Sequence, residues 1–175
     1  MTGKILVSSI FLASVIFGGA IYYLQVYAYY REVPAAELPP VELIALATGL
    51  PEAIEVSGVS AIDSDSSPLR FRSCFTLEDD AASLAETYQP YANADPLNAP
   101  GWFDCFNARE IGLALEAGQA KAYLSEPDFV YGFDRVIAVF PDGRGFVWPQ
   151  LNPCGKEFFD TGTAPDGCPP APERN

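Results

Sequence analysis

The chain contains no histidine, so proton transfer or nucleophile activation would fall to carboxylates, and Ser-His-Asp and Cys-His systems are excluded. Three carboxylate settings invite a chemical reading. Asp160-Thr161-Gly162 has the Asp-Thr-Gly order of aspartic proteases, which need two such carboxylates sharing a proton. One copy is present and 13 residues follow it, so a surface turn between Cys154 and Cys168 is the expectation. Asp63-Ser64-Asp65-Ser66-Ser67 opens like a calcium loop, but Pro68 stands where that loop needs Gly and Cys74 where it needs Glu. A polar turn beside Arg70 and Arg72 fits better. Asp63, Asp65 or Asp104 could support a carboxylate-only hydrolase if folding brought two of them within about 5–10 Å in an open cleft. Neither Gly-x-x-x-x-Gly-Lys nor Gly-x-Gly-x-x-Gly occurs, so no nucleotide cradle is expected. No catalytic residue, cofactor or metal ligand is assigned, and a non-enzymatic role is expected.

The cysteines carry a clearer message. Cys74, Cys105, Cys154 and Cys168 contain no Cys-x-x-Cys among them, which removes the usual signature of thiol exchange and of zinc. Structural disulfides are expected. Cys74 and Cys105 sit in apolar, aromatic settings suited to a core, and their pairing is favoured. Cys154 and Cys168 lie in Pro/Gly-rich stretches, where a bridge would staple a C-terminal loop at a gain of about 3 kcal/mol. Trp102, Phe103 and Phe106 form an aromatic knot. Core packing is the favoured role for these aromatics, and Trp102, Tyr131 and Trp148, with Arg70 and Arg72, are the candidate ligand or partner surface.

These residues need elements to hold them. Residues 41–47 and 53–59 read as short strands around Gly49-Leu50-Pro51. Residues 69–75 alternate, with Leu69, Phe71 and Phe75 on one face and Arg70 and Arg72 on the other. A helix is expected after Thr76 as N-cap, with Asp79 three residues on, burying Leu77, Leu84 and Tyr88. A second is expected from Asn107, with Glu110 completing a capping box, Ile111, Ala114 and Leu115 inward, and Gly118 as the stop. Residues 135–140 form an almost continuous apolar run, Pro141-Asp142-Gly143 turns it, and residues 144–148 return. Such a run suggests a strand covered on both faces. The expected fold class is α+β: a small disulfide-bonded domain with a mostly antiparallel sheet and two helices, behind one N-terminal transmembrane helix.

That helix follows from residues 5–24, a 20-residue run without charge or amide, and from Tyr22, Tyr23, Tyr27, Tyr29 and Tyr30 beyond it. About 20 apolar residues span a hydrocarbon core, and tyrosines gather at its edge. The run exceeds the 7–15 residues of a signal-peptide core, and the tyrosines occupy the place of a small-residue cleavage region, so a retained anchor is expected. All 23 acidic residues and all four cysteines follow the span. This asymmetry suggests N-terminus in and domain out: an inner-membrane, single-pass protein facing the periplasm. The expected boundaries are 1–30 for the anchor, 31–40 for a proline-containing linker, 41–168 for the domain and 169–175 for a disordered tail. Ser14-xxx-Gly18 offers a small-residue face for an integral-membrane partner. The net charge of −13 excludes nucleic acid and favours a basic periplasmic protein as partner.

The strings YYLQVYAYY, SSPLRFRSCF, PGWFDCF and RVIAVFPDGRGFVWPQLNPCG together resemble an uncharacterised family of small alphaproteobacterial membrane-anchored proteins. The resemblance covers nearly the whole chain and implies the periplasm-facing topology. It brings no activity and no catalytic residue. The label histidine kinase, sometimes attached to that family, does not fit a chain without histidine or nucleotide motif. Three functions compete: an accessory subunit or assembly factor of an inner-membrane complex, a periplasmic ligand-binding or sensing module, and a carboxylate-only hydrolase. The first is favoured, because a tethered compact domain and a packable helix face come without a catalytic constellation.

Overall fold

A computed structural model describes residues 2–172. The proposed tail at 169–175 therefore lies partly outside the described residues. The apolar run forms α1 (Thr2–Tyr23), continued by a π-helical turn, Leu24–Ala28. Within residues 3–28 an 18-residue stretch has a mean hydropathy of 2.2 and none of that stretch is buried, so the helix is long and apolar enough to cross a membrane. The hydroxyls of Ser9 and Ser14 donate back to Leu6 O and Ile10 O, each at 2.9 Å. Both serines are thus internally satisfied and present themselves as small rather than polar residues.

The rest of the chain is built on a six-stranded antiparallel sheet in the order β1-β4-β5-β8-β7-β6. Its strands are β1 (Arg31–Val33), β4 (Val56–Asp63), β5 (Arg72–Leu77), β6 (Lys121–Val130), β7 (Phe133–Val139) and β8 (Arg144–Leu151). A separate two-stranded hairpin pairs β2 (Glu42–Ile44) with β3 (Pro51–Ala53). The α+β expectation holds. Successive residues of β7 feed opposite faces: Val136 and Ala138 join one core with Trp148, Phe106 and Ile111, while Ile137 and Val139 join another with Leu43, Phe75 and Leu84. The continuous apolar run of β7 is explained by this double cover. Gly145 of β8 lies opposite Phe75 of β5 and must lack a side chain, since a Cβ there would enter the Phe75 ring.

Four differences from the sequence-based expectations are physical. Thr76 is not an N-cap; it lies in β5 opposite Arg144, because the alternation of β5 buries Leu77 in the sheet. The helix expected after it shrinks to one turn, α2 (Leu84–Thr87). The helix expected from Asn107 is present as α3 (Ala108–Glu116), capped by Asn107 Oδ1 accepting from Glu110 N at 3.2 Å. Where a Pro/Gly-rich loop was expected, a further helix forms, α4 (Pro153–Thr161). Asn152 caps it through Gly155 N at 2.8 Å, and Gly162 ends it with a φ of 79°. Finally, the proline-containing linker expected at 31–40 begins inside the sheet: Arg31 to Val33 pair with β4 as its edge.

Candidate interface between helix and domain

The residues expected to form one surface separate into three environments. Trp148 is wholly buried, 0% exposed, and meets Phe106 edge to face. It is a core residue and lines no cleft, because it sits on a strand covered on both faces. Tyr131 packs edge to face on Phe158 with ring centroids 5.1 Å apart, in the turn that joins β6 to β7 beneath α4. Trp102 and Arg70, by contrast, meet the end of the apolar helix.

Trp102 Nε1 donates to Val26 O at 2.6 Å, and Arg70 Nη2 donates to Gln25 Oε1 at 2.9 Å. The last carbonyls of a helix lack partners within it, so the indole N–H satisfies a group the π-helical turn leaves open. Tyr30 closes the collar: its ring meets Trp102 edge to face at 6.3 Å, and the Arg70 guanidinium lies 5.2 Å above its centroid. The domain thus begins at the level of Gln25, immediately beyond the last apolar residue of the run.

Arg72 supports this collar from inside. Only 3% exposed, it donates to Leu97 O, Asn98 O, Leu69 O and Phe71 O at 2.6–3.0 Å, and its guanidinium faces Phe106. Burial pulls it down to about 10, so it stays charged at neutral pH, held by carbonyls rather than by a carboxylate. Those bonds fix the loop before β5, which carries Arg70, to the 97–98 segment, which leads to Trp102. Arg72 is therefore no surface residue: the alternation placing it beside Arg70 starts only where β5 starts.

A second polar cluster lies under α4. Asp134 accepts from Tyr91 OH at 3.0 Å, Asp128 N at 2.9 Å and Asn152 Nδ2 at 2.8 Å. Asp128 accepts from Gly132 N at 3.0 Å and Asn152 Nδ2 at 2.9 Å. Burial, then the charge of Asp134, raises Tyr91 above the ordinary phenol range. Every partner here is a donor from the same fold, and the cluster ties the bulged end of β6 to the start of α4. A hollow beside Arg135, lined by Leu38, Val41, Phe71, Ser73 and Ser125, has a volume of about 40 Å³, room for a water or so rather than a metabolite.

The remaining sequence candidates are dispersed. Asp104 lines an open hollow with Glu32 that neither Asp63 nor Asp65 lines. Asp63 accepts from Ser64 N at 2.8 Å in a local turn. Asp160, Thr161 and Gly162 close α4, so the Asp-Thr-Gly string is a helix end, not a catalytic loop. Cys74 pairs with Cys105 and Cys154 with Cys168. The contacts with the helix end escaped sequence reasoning because 76 residues separate Trp102 from Val26, although Trp102 and Arg70 both stood among the candidate partner residues.

Fold and site together define a single disulfide-bonded α+β domain seated on the end of one long apolar helix. The chain belongs to the family of unknown function DUF6446, whose family model matches residues 41–169. No curated protein and no solved structure matches it.

Proposed function

We propose that the protein is a non-enzymatic, membrane-anchored accessory or interaction protein facing the periplasm, a small subunit or assembly factor of an inner-membrane complex. The observation that carries this reading is the collar: Trp102, Arg70 and Tyr30 hold the domain against the exit of its own helix. A domain so held presents a fixed face to a neighbour in the same membrane instead of sampling the compartment on a tether. Two disulfides support an oxidising compartment. Ser14 and Gly18 leave the helix a smooth side: a Cβ at Gly18 meets nothing within 4 Å, which suits close backbone approach by a second helix.

Purification from native membranes in mild detergent, with mass spectrometry, tests this. An integral-membrane protein should co-purify in fixed ratio, and Ser14→Leu with Gly18→Leu should remove it while the domain stays folded. Monomer alone from wild type, or a partner indifferent to both substitutions, would sink the reading.

A further inference from the structure

We infer that the apolar surface formed by Val130, Leu151 and Phe159 is a second membrane contact, resting in the interfacial layer of the bilayer that α1 spans. The inference rests on the membrane-anchored reading above.

These three side chains are 45%, 36% and 55% exposed, and all three surround Phe133. Val130 and Leu151 are its register partners on β6 and β8, and the Phe159 ring lies 5.6 Å from it. Single exposed apolar residues are ordinary, but three around one buried ring form a patch. Their place in the fold gives the patch a direction. Ser73 of β5 faces Val147 of β8, Arg72 faces Ile62 of β4, and the next residue of β4, Asp63, faces Arg31, the first residue of β1. The end of β8 that carries Leu151 is thus the end at which Arg31 enters the sheet, and Arg70, just before β5, touches Gln25 at 2.9 Å, at the end of the apolar helix. Strands lie about 4.8 Å apart, so Phe133 on β7 is only about 10 Å across the sheet from the line of β5. The patch is therefore at the end of the sheet that the helix enters, and the opposite end carries the Pro141-Asp142-Gly143 turn.

The seating of α4 holds the patch there. A Cβ on Gly132 would enter the Gly155 backbone, and one on Gly155 would enter Gly132, so α4 lies directly on the β6–β7 turn. Phe158 packs on Tyr131, while Phe159 on the side of Gly155 stays more than half exposed. Lys156, Glu157 and Asp160 on α4 are exposed, which limits the contact to the headgroup boundary and favours zwitterionic over anionic lipid for a chain of net charge −13.

The test uses the full chain in phosphatidylcholine nanodiscs, with and without nitroxide-labelled lipid. Phe159→Trp should add blue-shifted emission, most of which is lost when nitroxide lipid is present. Val130→Trp serves as an independent second probe should the first variant fold poorly. Lys121→Trp, at the far end of the sheet, should add solvent-like emission that the nitroxide lipid leaves intact. Solvent-like, unquenched emission from positions 130 and 159 would overturn the inference. Blue-shifted but unquenched emission would also overturn it, assigning the patch to a second copy or another protein. Flotation of the wild-type chain with vesicles separates the two readings: a chain that fails to float refutes the anchor itself, whereas one that floats with unquenched probes refutes only the patch.

Discussion

Tyr91 OH donates a hydrogen bond to Asp134 at 3.0 Å inside the polar cluster under α4, and this single contact sets a pH dependence. Burial and the adjacent carboxylate raise its folded-state pKa above the unfolded phenol value near 10. Above that pH the native state keeps a proton the unfolded state has shed, so the contribution is complete below pH 10 and falls as pH rises further. Burial shifts Tyr123 and Tyr88 in the same direction. Arg72, pulled down to about 10, has the opposite sign, since between that value and the ordinary guanidinium range the unfolded chain binds the extra proton. Tyr91→Phe should therefore cost about 1 kcal/mol at neutral pH and flatten the alkaline loss of stability without abolishing it. Denaturant midpoints of both proteins from pH 8 to 11 check this; parallel curves would show that Tyr91 does not set the slope. The residue scale is also where sequence reading was weakest. Arg70 and Arg72 alternate correctly, yet the period of two acts only inside a strand, so one reaches the helix and the other lies buried under four carbonyls.

At the scale of elements, the β7–β8 hairpin and α3 were legible because their signals are local: a turn at Pro141-Asp142-Gly143, a continuous apolar run, and Asn107 with Glu110 as cap. Helix α4 carried its own signals, Asn152-Pro153 at the start and Gly162 at the end, but Gly155 inside it reads as a helix breaker. That glycine is there for close approach to Gly132, a tertiary requirement with no local trace. Strand β1 spans three residues, too few for any periodicity. The two disulfides were legible as a pairing of settings, and their positions predict different effects. Cys74–Cys105 joins β5 to the segment before α3 across 31 residues, whereas Cys154–Cys168 closes 14 residues around α4. Loop entropy assigns them roughly 3.5 and 3 kcal/mol, similar sums with different reach. Replacing Cys74 and Cys105 together by Ala should lower the global denaturation midpoint and quicken amide exchange throughout the sheet. Replacing Cys154 and Cys168 should quicken exchange chiefly in residues 153–161, with a smaller change in midpoint. Uniform exchange changes in both variants would mean that α4 does not open separately from the sheet.

For the whole molecule the deciding quantity is how firmly the domain holds its helix. Every acidic residue lies beyond the apolar run, so charge gives the domain no attraction to an anionic surface, and short-range contacts are what hold it to the helix end. The collar supplies two hydrogen bonds and an aromatic pair around Tyr30, whereas the buried core of the domain lies on the two faces of the sheet, with Tyr30 and Trp102 only flanking one of them. Trp102→Phe keeps a ring beside Tyr30 but removes the donor to Val26 O, and Arg70→Ala removes the donor to Gln25. At about 1 kcal/mol for each bond, the double variant should open the 24–30 segment roughly thirty-fold more often, read as faster amide exchange there in nanodiscs. The denaturation midpoint of the domain should move little, because Trp102 is only partly buried at the margin of the core, where phenylalanine keeps a ring, and Arg70 is not among the core residues. Unchanged exchange at 24–30 would mean that the collar does not hold the domain. A collapse in global stability would instead make Trp102 part of the core and leave the domain free to swing on its helix, which would remove the main support for a fixed face presented to a membrane partner.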